Sequence, residues 1–185
     1  MRVIAGKARG MKLNTIEGLS TRPTIDRMKE TLFNIIAFDL PDARVLDLFS
    51  GSGGIGIEAL SRGAKEAVFV ESNDACARVI KENLLHTKLD KQATLLQMDV
   101  EEALRKLGNE GTCFDVIFMD PPYAAGLAEV SLNGILEHVL LAAEGFVIVE
   151  HGAKTPLLPL EGLRIFRQKE YKTTTLTFLC LEDKK

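Results

Sequence analysis

The sequence has few cysteines and no long apolar run, and both absences narrow the class of protein. Its three cysteines are far apart and form no C-x-x-C pair, so neither a disulfide framework nor a thiolate zinc site is expected. No stretch of about 18 apolar residues occurs, and the opening residues lack the apolar core of a signal peptide. We therefore expect a cytoplasmic protein that does not associate with membranes.

Histidines are also few, and repeats, low-complexity tracts and long linkers are absent. His86, His138 and His151 show no metal-ligand spacing, so we expect no metal site and interpret each as a surface or helix residue. The 185 residues, 46% of them hydrophobic, suffice for one domain with a modest extension.

Positive charge is concentrated at the start of the chain. Residues 1–36 contain seven Lys or Arg against three acids, whereas the whole chain has a net charge of −3. This asymmetry indicates an anionic partner that docks on one end of an acidic body, although a solvated basic face is the alternative. The candidates for contacts with phosphates are Arg2, Lys7, Arg9 and Lys12.

From Arg44 onward, short apolar segments alternate with segments of helical periodicity. The predicted strands cover 44–49, 66–70, 93–97, 114–119 and 145–150, and the predicted helices cover 55–62, 75–88, 100–107 and 128–140. This alternation predicts an α/β fold with a mostly parallel sheet covered by helices on both faces. Ligands then bind at the carboxyl ends of the strands.

Both ends of the chain depart from this pattern. "LRIFRQKEY" and "TTTLTFLCLED" are joined too tightly for a helical crossover and should pair antiparallel. "RVIAG" and "MKLNT" flank the turn "KARG" and predict a small hairpin, followed by a helix that begins near Thr24. We expect residues 1–40 to form an N-terminal extension of hairpin and helix, and residues 41–185 to form the main, catalytic domain.

The segment "DLFSGSGGIG" contains a G-x-G-x-x-G pattern, which is typical of dinucleotide-binding sites. Asp47 precedes it at the carboxyl end of the first strand, where its charge would repel a pyrophosphate. It would suit the sulfonium and ammonium groups of S-adenosylmethionine, although a turn-capping role is the alternative. The third glycine, Gly56, allows a helix to pack closely on a strand.

Two further acids follow predicted strands. Glu71 ends the second strand and can accept hydrogen bonds from ribose hydroxyls, which NAD and S-adenosylmethionine both have. Asp99 follows the third strand and either accepts the adenine amino group or caps the next helix.

The fourth strand ends in Asp120-Pro121-Pro122-Tyr123. The prolines lack N–H groups, so carbonyl oxygens and the Asp120 carboxylate form a surface that only accepts hydrogen bonds. Such a surface fits an exocyclic amine, and Tyr123 can stack on the base that carries this amine. This motif favours methyl transfer to an amino group over hydride transfer.

The chain resembles the RsmD family, S-adenosylmethionine-dependent methyltransferases of the guanine 2-amino group in 16S ribosomal RNA. The resemblance rests on "RVIAGKARGMKL", "TRPTIDRMKETLFNII", "LDLFSGSGGIGIEALSRGA" and "DPPY", in that order. It implies a Rossmann-like, class I methyltransferase sheet of seven strands with an antiparallel hairpin at the end. It also implies small-subunit ribosomal RNA as partner, either free or within a particle such as an assembling 30S subunit, and a monomeric enzyme.

The resemblance implies further site residues. Arg22 would contact RNA, and Thr24 and Arg27 would cover the cofactor. Many relatives have Asp where this chain has Asn73. The remaining expected cofactor contacts are Phe49, Ser50, Gly51, Ser52, Gly53, Ser72, Asn73, Val100 and, beside its role towards the amine, Asp120.

Other functions have weaker support in the sequence. A DNA or RNA adenine or cytosine amino methyltransferase is the nearest alternative, but no separate target-recognition domain is visible. A protein glutamine methyltransferase would favour Asn where Asp120 stands. An NAD oxidoreductase would need a proton donor and a substrate domain, and a non-catalytic RNA-binding module would not need "DPPY".

Overall fold

Seven strands form one sheet in the order β3-β2-β1-β4-β5-β7-β6. A computed structural model describes residues 1–16, 23–122, 126–155, 157 and 160–182, with no description of the side chains of 23–26. The strands are β1 (Arg44–Leu48), β2 (Glu66–Val70), β3 (Ala93–Leu96), β4 (Phe114–Met119), β5 (Leu141–Gly152), β6 (Leu163–Glu170) and β7 (Thr174–Leu181). The helices are α1 (Pro23–Ile35), α2 (Gly54–Ser61), α3 (Asp74–Thr87), α4 (Val100–Asn109) and α5 (Leu127–Glu137).

Strands β1 to β5 pair in parallel, whereas β7 is antiparallel to both β5 and β6. The prediction of a mostly parallel sheet that ends in an antiparallel hairpin is therefore confirmed. The chain runs from β1 outward to β3, and then returns to the other side of β1 to form β4. This reversal creates a crevice at the carboxyl ends of β1 and β4, where α/β proteins bind ligands.

Apolar side chains cover both faces of the sheet, which is why the central strands are apolar runs. One core contains Phe33 of α1, Ile57 of α2, Ile80 of α3 and Val3 of the extension. The core on the other face includes Leu104, from α4. The extension, α1, α2 and α3 thus pack on one face, and α4 and α5 pack on the other.

The end of α5 and the start of β5 differ from prediction. The helix ends at Glu137 rather than at residue 140, because Val139 adopts a left-handed φ of 52°. Strand β5 already begins at Leu141, which pairs with Phe114. The register then shifts before Phe146 pairs with Val116, and this irregularity separates the two parts of the strand.

The predicted N-terminal hairpin is present in short form, with one bridge pair between Arg2 and Lys12. Its turn contains Gly6, whose φ is +84° and whose hypothetical Cβ would lie 1.8 Å from the Ser61 carbonyl oxygen. Only glycine fits there, because both the backbone angle and the space exclude a side chain. In the described part of the chain, no helix is long and apolar enough to cross a membrane.

Candidate active site at the carboxyl ends of the strands

Four neighbouring strands, β2, β1, β4 and β5, bring acidic side chains to one edge of the parallel part of the sheet. Leu48 pairs with Val70 and with Met119, and Met119 pairs with Val149. The residues that follow these positions therefore stand in register at the crevice, and three of them are acids: Glu71, Asp120 and Glu150. Asp47, the penultimate residue of β1, adds a fourth carboxylate beneath them.

Asp47 is buried with very little compensation for its charge. Its side chain accepts a hydrogen bond from the Gly56 N–H at 3.0 Å and forms no salt bridge with any described residue. Burial raises its pKa to about 7, against the effect of the Gly56 bond and with smaller contributions from the charges of Asp120 and Glu71. The carboxylate would therefore be stabilised by a cationic ligand.

The glycine turn follows Asp47 in an unusual backbone conformation. Phe49, Gly51 and Gly53 have φ values of 61°, 55° and 78°. Ser50 fixes the turn, because its hydroxyl donates to the Asp47 carbonyl at 2.6 Å and accepts from the Val70 N–H at 3.1 Å. The left-handed φ of Phe49, a non-glycine residue, strains the backbone. Backbone strain of this kind is typical of ligand-binding turns.

Glu71 closes the other side of this turn. One of its oxygens accepts the Gly51 N–H at 2.8 Å, and the other accepts the Asn73 N–H at 2.8 Å. The Asn73 side chain in turn accepts from the N–H groups of Ala75 and Cys76 and caps α3. Each Glu71 oxygen keeps a second lone pair for a ligand hydroxyl.

Asp120 and Glu150 form the other wall of the crevice. Glu150 is half-buried, and this burial together with the charge of Asp120 raises its pKa to about 8. Asp120 is exposed at the edge, yet partial removal of water still raises its pKa above the usual carboxyl value. Pro121, directly after Asp120, is buried and fixes the chain at this point.

Helix α2 packs very closely behind the glycine turn. A Cβ on Gly56 would meet the Phe69 ring at 2.3 Å, which confirms that this glycine permits close packing of helix on strand. On α3, the buried Asn83 side chain donates to the carbonyl oxygens of Ser52 and Asn14, each at 3.0 Å. The turn and the N-terminal extension are thus joined through one side chain.

The N-terminal extension is fastened to α2 by a second buried carboxylate. The two oxygens of Glu58 accept the N–H groups of Ile4 and Ala5 at 2.8 and 3.0 Å. They also form ion pairs with Lys29 at 3.3 Å and Arg62 at 2.8 Å. The extension therefore has a fixed position relative to the glycine turn.

Comparisons with known proteins agree with this architecture. The family model described as conserved hypothetical protein 95 matches residues 1–180. YlbH of Bacillus subtilis is 40% identical over 170 residues, which cover 92% of each chain. Ribosomal RNA small subunit methyltransferase D of Haemophilus influenzae is 36% identical over 170 residues, covering 91% of this chain and 88% of that protein.

The chain belongs to the RsmD family. The fold of this chain is also similar to that of a solved structure, yhhF from Escherichia coli. Its TM-score is 0.87 at 33% identity, and the match covers 100% of this chain and 99% of that one. The resemblance found in the sequence is thereby confirmed over nearly the whole chain.

In this RsmD-family chain, the predicted acids lie where the sequence placed them. Asp47 lies close enough to Asp120 and Glu71 for their charges to act on it, and the turn from Phe49 to Gly53 lies between Asp47 and Glu71. Asp99 caps α4 by accepting the Glu102 N–H at 2.8 Å, which confirms the capping alternative. Its contact with adenine stays a prediction, as do those of Ser72, Asn73 and Val100.

Other predicted site residues are either not described by the structure or lie away from the acids of the crevice. Tyr123 and Arg22 lie outside the described residues, and Thr24 belongs to α1 without a described side chain. Arg27 is exposed on α1 and faces a cavity that it shares with Arg2 and Arg9. Pro122 is exposed beside Pro121.

Two features of the site were not predicted from the sequence. Glu150 ends "GFVIVE" as Glu71 ends "EAVFVE", so the same rule of an acid after an apolar strand could have found it. His151 is neither a surface nor a helix residue. It is buried in β5, where its Nε2 lies 2.8 Å from the Thr177 hydroxyl. A polar ring at a buried position of a strand needs such a hydrogen-bond partner.

Proposed function

We propose that the chain transfers a methyl group from S-adenosylmethionine to the 2-amino group of a guanine in small-subunit (16S) ribosomal RNA. The observation that carries this proposal is the crevice itself, where Asp47 is buried without a cation among the described residues and Asp120-Pro121-Pro122 forms the rim. Relatives named ribosomal RNA small subunit methyltransferase D, such as those of Haemophilus influenzae and Escherichia coli, support the choice of RNA.

The residues of the crevice fit the proposed cofactor. Asp47 offers a negative charge to a sulfonium or ammonium group, and Glu71 offers acceptors to ribose hydroxyls. Asp99 keeps acceptor capacity beyond its capping bond, which suits the adenine amino group. When bound, S-adenosylmethionine supplies an activated methyl group, and the chain supplies orientation, which contributes roughly 7 to 11 kcal/mol in well-positioned reactions.

At the rim, Asp120 and the Pro121 carbonyl accept the hydrogens of the target amino group. Its lone pair, normally delocalised into the guanine ring, is thereby directed away from the accepting surface and towards the bound methyl donor. The amino group must lose a proton after transfer, and Asp120 or water accepts it. Tyr123, following the two prolines in sequence, stacks on the base.

The wider context of the enzyme is also part of the proposal. Residues 1–40 form an extension that contacts RNA through Arg2, Lys7, Arg9, Lys12 and Arg22, and residues 41–185 form the methyltransferase domain. The enzyme acts as a cytoplasmic monomer on 16S ribosomal RNA, either free or within a particle such as an assembling 30S subunit.

The alternatives make different demands on the crevice. A pyrophosphate beside the buried carboxylate of Asp47 would be repelled, which disfavours an NAD oxidoreductase. An adenine or cytosine amino methyltransferase would use the same crevice, so the substrate must be identified by experiment.

The test is transfer of a tritiated methyl group to naked 16S ribosomal RNA, small ribosomal subunits and DNA, followed by nucleoside analysis. We expect N2-methylguanosine in the RNA or the subunits and no label in DNA. Replacement of Asp120 by Ala should lower turnover by at least about 100-fold while cofactor affinity persists. Label in DNA, or in adenine or cytosine, would contradict the proposed substrate, and full turnover of Asp120→Ala would remove Asp120 from the mechanism.

A further inference from the structure

Three arginines from two elements line one half-open cavity on the face opposite α4 and α5. The cavity has a volume of about 580 Å³, and its lining includes Arg2 and Arg9 of the hairpin together with Arg27 and Glu30 of α1. Among the lining residues that the structure describes, three guanidinium groups face one carboxylate, so this part of the lining carries net positive charge. A cavity of this size can accommodate a nucleotide-sized group.

These arginines differ from two others in the chain, which pair with acids. Arg44 forms an ion pair with Glu66 at 2.6 Å, and Arg62 forms one with Glu58 at 2.8 Å. Neither Arg2, Arg9 nor Arg27 forms a salt bridge within the described ranges. Guanidinium groups that converge in this way are suited to an incoming anion, and their planar donors match the oxygens of a phosphate.

The two walls of the cavity are fixed to each other. Lys29, which lies on α1 between Arg27 and Glu30, is 1% exposed and donates to the Arg2 carbonyl oxygen at 2.7 Å. The same amine pairs with Glu58 of α2. The arginines are therefore carried by a rigid backbone, which lowers the entropic cost of binding an anion between them.

The N-terminal extension, which carries Arg2 and Arg9, is also connected to the glycine turn by hydrogen bonds. Asn14 of the extension donates its N–H to Asn83 at 2.8 Å, and Asn83 donates to the Ser52 carbonyl oxygen at 3.0 Å. An anion held by the hairpin and α1 thus has a defined position relative to the crevice, as substrate positioning requires.

We propose that this arginine cavity binds a phosphodiester group of the RNA strand that carries the target base. The inference rests on the proposed function, because it takes RNA as the substrate. It assigns Arg27 to RNA, whereas the family resemblance implies that Arg27 faces the cofactor. Glu30 limits the positive charge of the cavity.

The test compares single Arg→Gln variants at positions 2, 9 and 27 with Arg105→Gln as control. Arg105 is exposed on α4, on the opposite face of the sheet. Binding of a 16S ribosomal RNA transcript is measured by fluorescence anisotropy across a salt series. We expect each cavity variant to lose about tenfold in affinity. The slope of log affinity against log salt should fall by about 0.7 to 0.9, whereas Arg105→Gln stays at wild type.

Two further measurements distinguish an anion site from a cofactor contact. Glu30→Gln should tighten RNA binding about two- to threefold, because it removes the negative charge from the lining; weaker binding would contradict an anion site. Calorimetry with S-adenosylmethionine should give wild-type affinity for Arg27→Gln. Loss of cofactor affinity with an unchanged salt slope would place Arg27 at the cofactor and overturn the assignment.

The outcome for the wild-type protein distinguishes the two proposals. Methyl transfer to RNA by the wild type, with cavity variants that bind RNA as Arg105→Gln does, would overturn the arginine cavity alone. Absence of methyl transfer to any RNA substrate would overturn the proposed function, and the cavity's assigned ligand with it.

Discussion

Two buried carboxylates on successive elements of the chain have opposite surroundings. Glu58 on α2 is 0% exposed and receives two backbone N–H groups and two cations, Lys29 and Arg62. Asp47 on β1 is 1% exposed and receives the Gly56 N–H, but no cation from the described residues. Within the described part of the chain, one negative charge is neutralised and the other is not.

The difference indicates what each carboxylate is for. Buried charge is costly unless it is paired, so a satisfied carboxylate such as Glu58 can serve architecture by fastening the extension to α2. The free-energy cost of burying the Asp47 charge is not compensated until a cationic ligand binds. This behaviour is expected of a ligand-binding group. Burial alone would not have distinguished the two residues.

The largest expected effect is on stability, at Glu58. Glu58→Ala leaves Lys29 buried beside Arg62 without this acid, and it should lower the free energy of unfolding by about 3 to 5 kcal/mol. Urea denaturation measures this loss in the free energy of unfolding. Glu66→Ala is the matched control, because Glu66 pairs with Arg44 at the surface with 40% of its side chain exposed, and its loss should cost at most about 1 kcal/mol. Equal losses in the two variants would contradict the structural role of Glu58.

A smaller effect concerns the pH dependence of cofactor binding. The pKa of Asp47 is about 7 in the ligand-free protein, so below this value a cationic ligand must displace a proton from the carboxyl group. Affinity for S-adenosylmethionine should fall about tenfold per pH unit below 7 and level off above it. Calorimetry in buffers of different ionisation enthalpy should detect the released proton. Asp47→Asn should remove this dependence, and a proton release that persists in the variant would assign it to another group.

A third effect concerns the stability of the ligand-free protein. The folded-state pKa of Asp47 lies above its unfolded value of about 3.9, so ionisation of Asp47 opposes folding. Its contribution to stability therefore declines as pH rises from about 4 towards 7. Asp47→Asn should gain stability relative to wild type between about pH 5 and pH 8 in urea denaturation. A variant that loses stability relative to wild type over this range would contradict an uncompensated charge.

The sequence predicted the parts of the site that follow from a simple periodic rule. Apolar strands of a parallel sheet end at one edge, so Asp47, Glu71 and Asp120 could be placed together from their positions in the chain. The close packing at Gly56 was predictable for the same reason, because a glycine at the start of a helix faces the adjoining strand.

The unpredicted parts depend on contacts between distant residues. The pairing of Glu58 with Lys29 and with the backbone of Ile4 has no periodic signature, since it arises only when the extension folds onto α2. The early start of β5 depends on a shifted register with β4, which local propensity does not encode. The convergence of Arg2, Arg9 and Arg27 likewise depends on how the hairpin meets α1.

The role of Asp47 can be tested by titrating S-adenosylmethionine into wild-type protein and Asp47→Asn at about pH 8, where Asp47 is mostly ionised. Removing one partner of a buried charge pair costs about 2 to 5 kcal/mol, so the variant should bind at least about 30-fold more weakly while its thermal unfolding stays cooperative. Equal affinity in the two proteins would show that the buried carboxylate of Asp47 does not hold the cofactor.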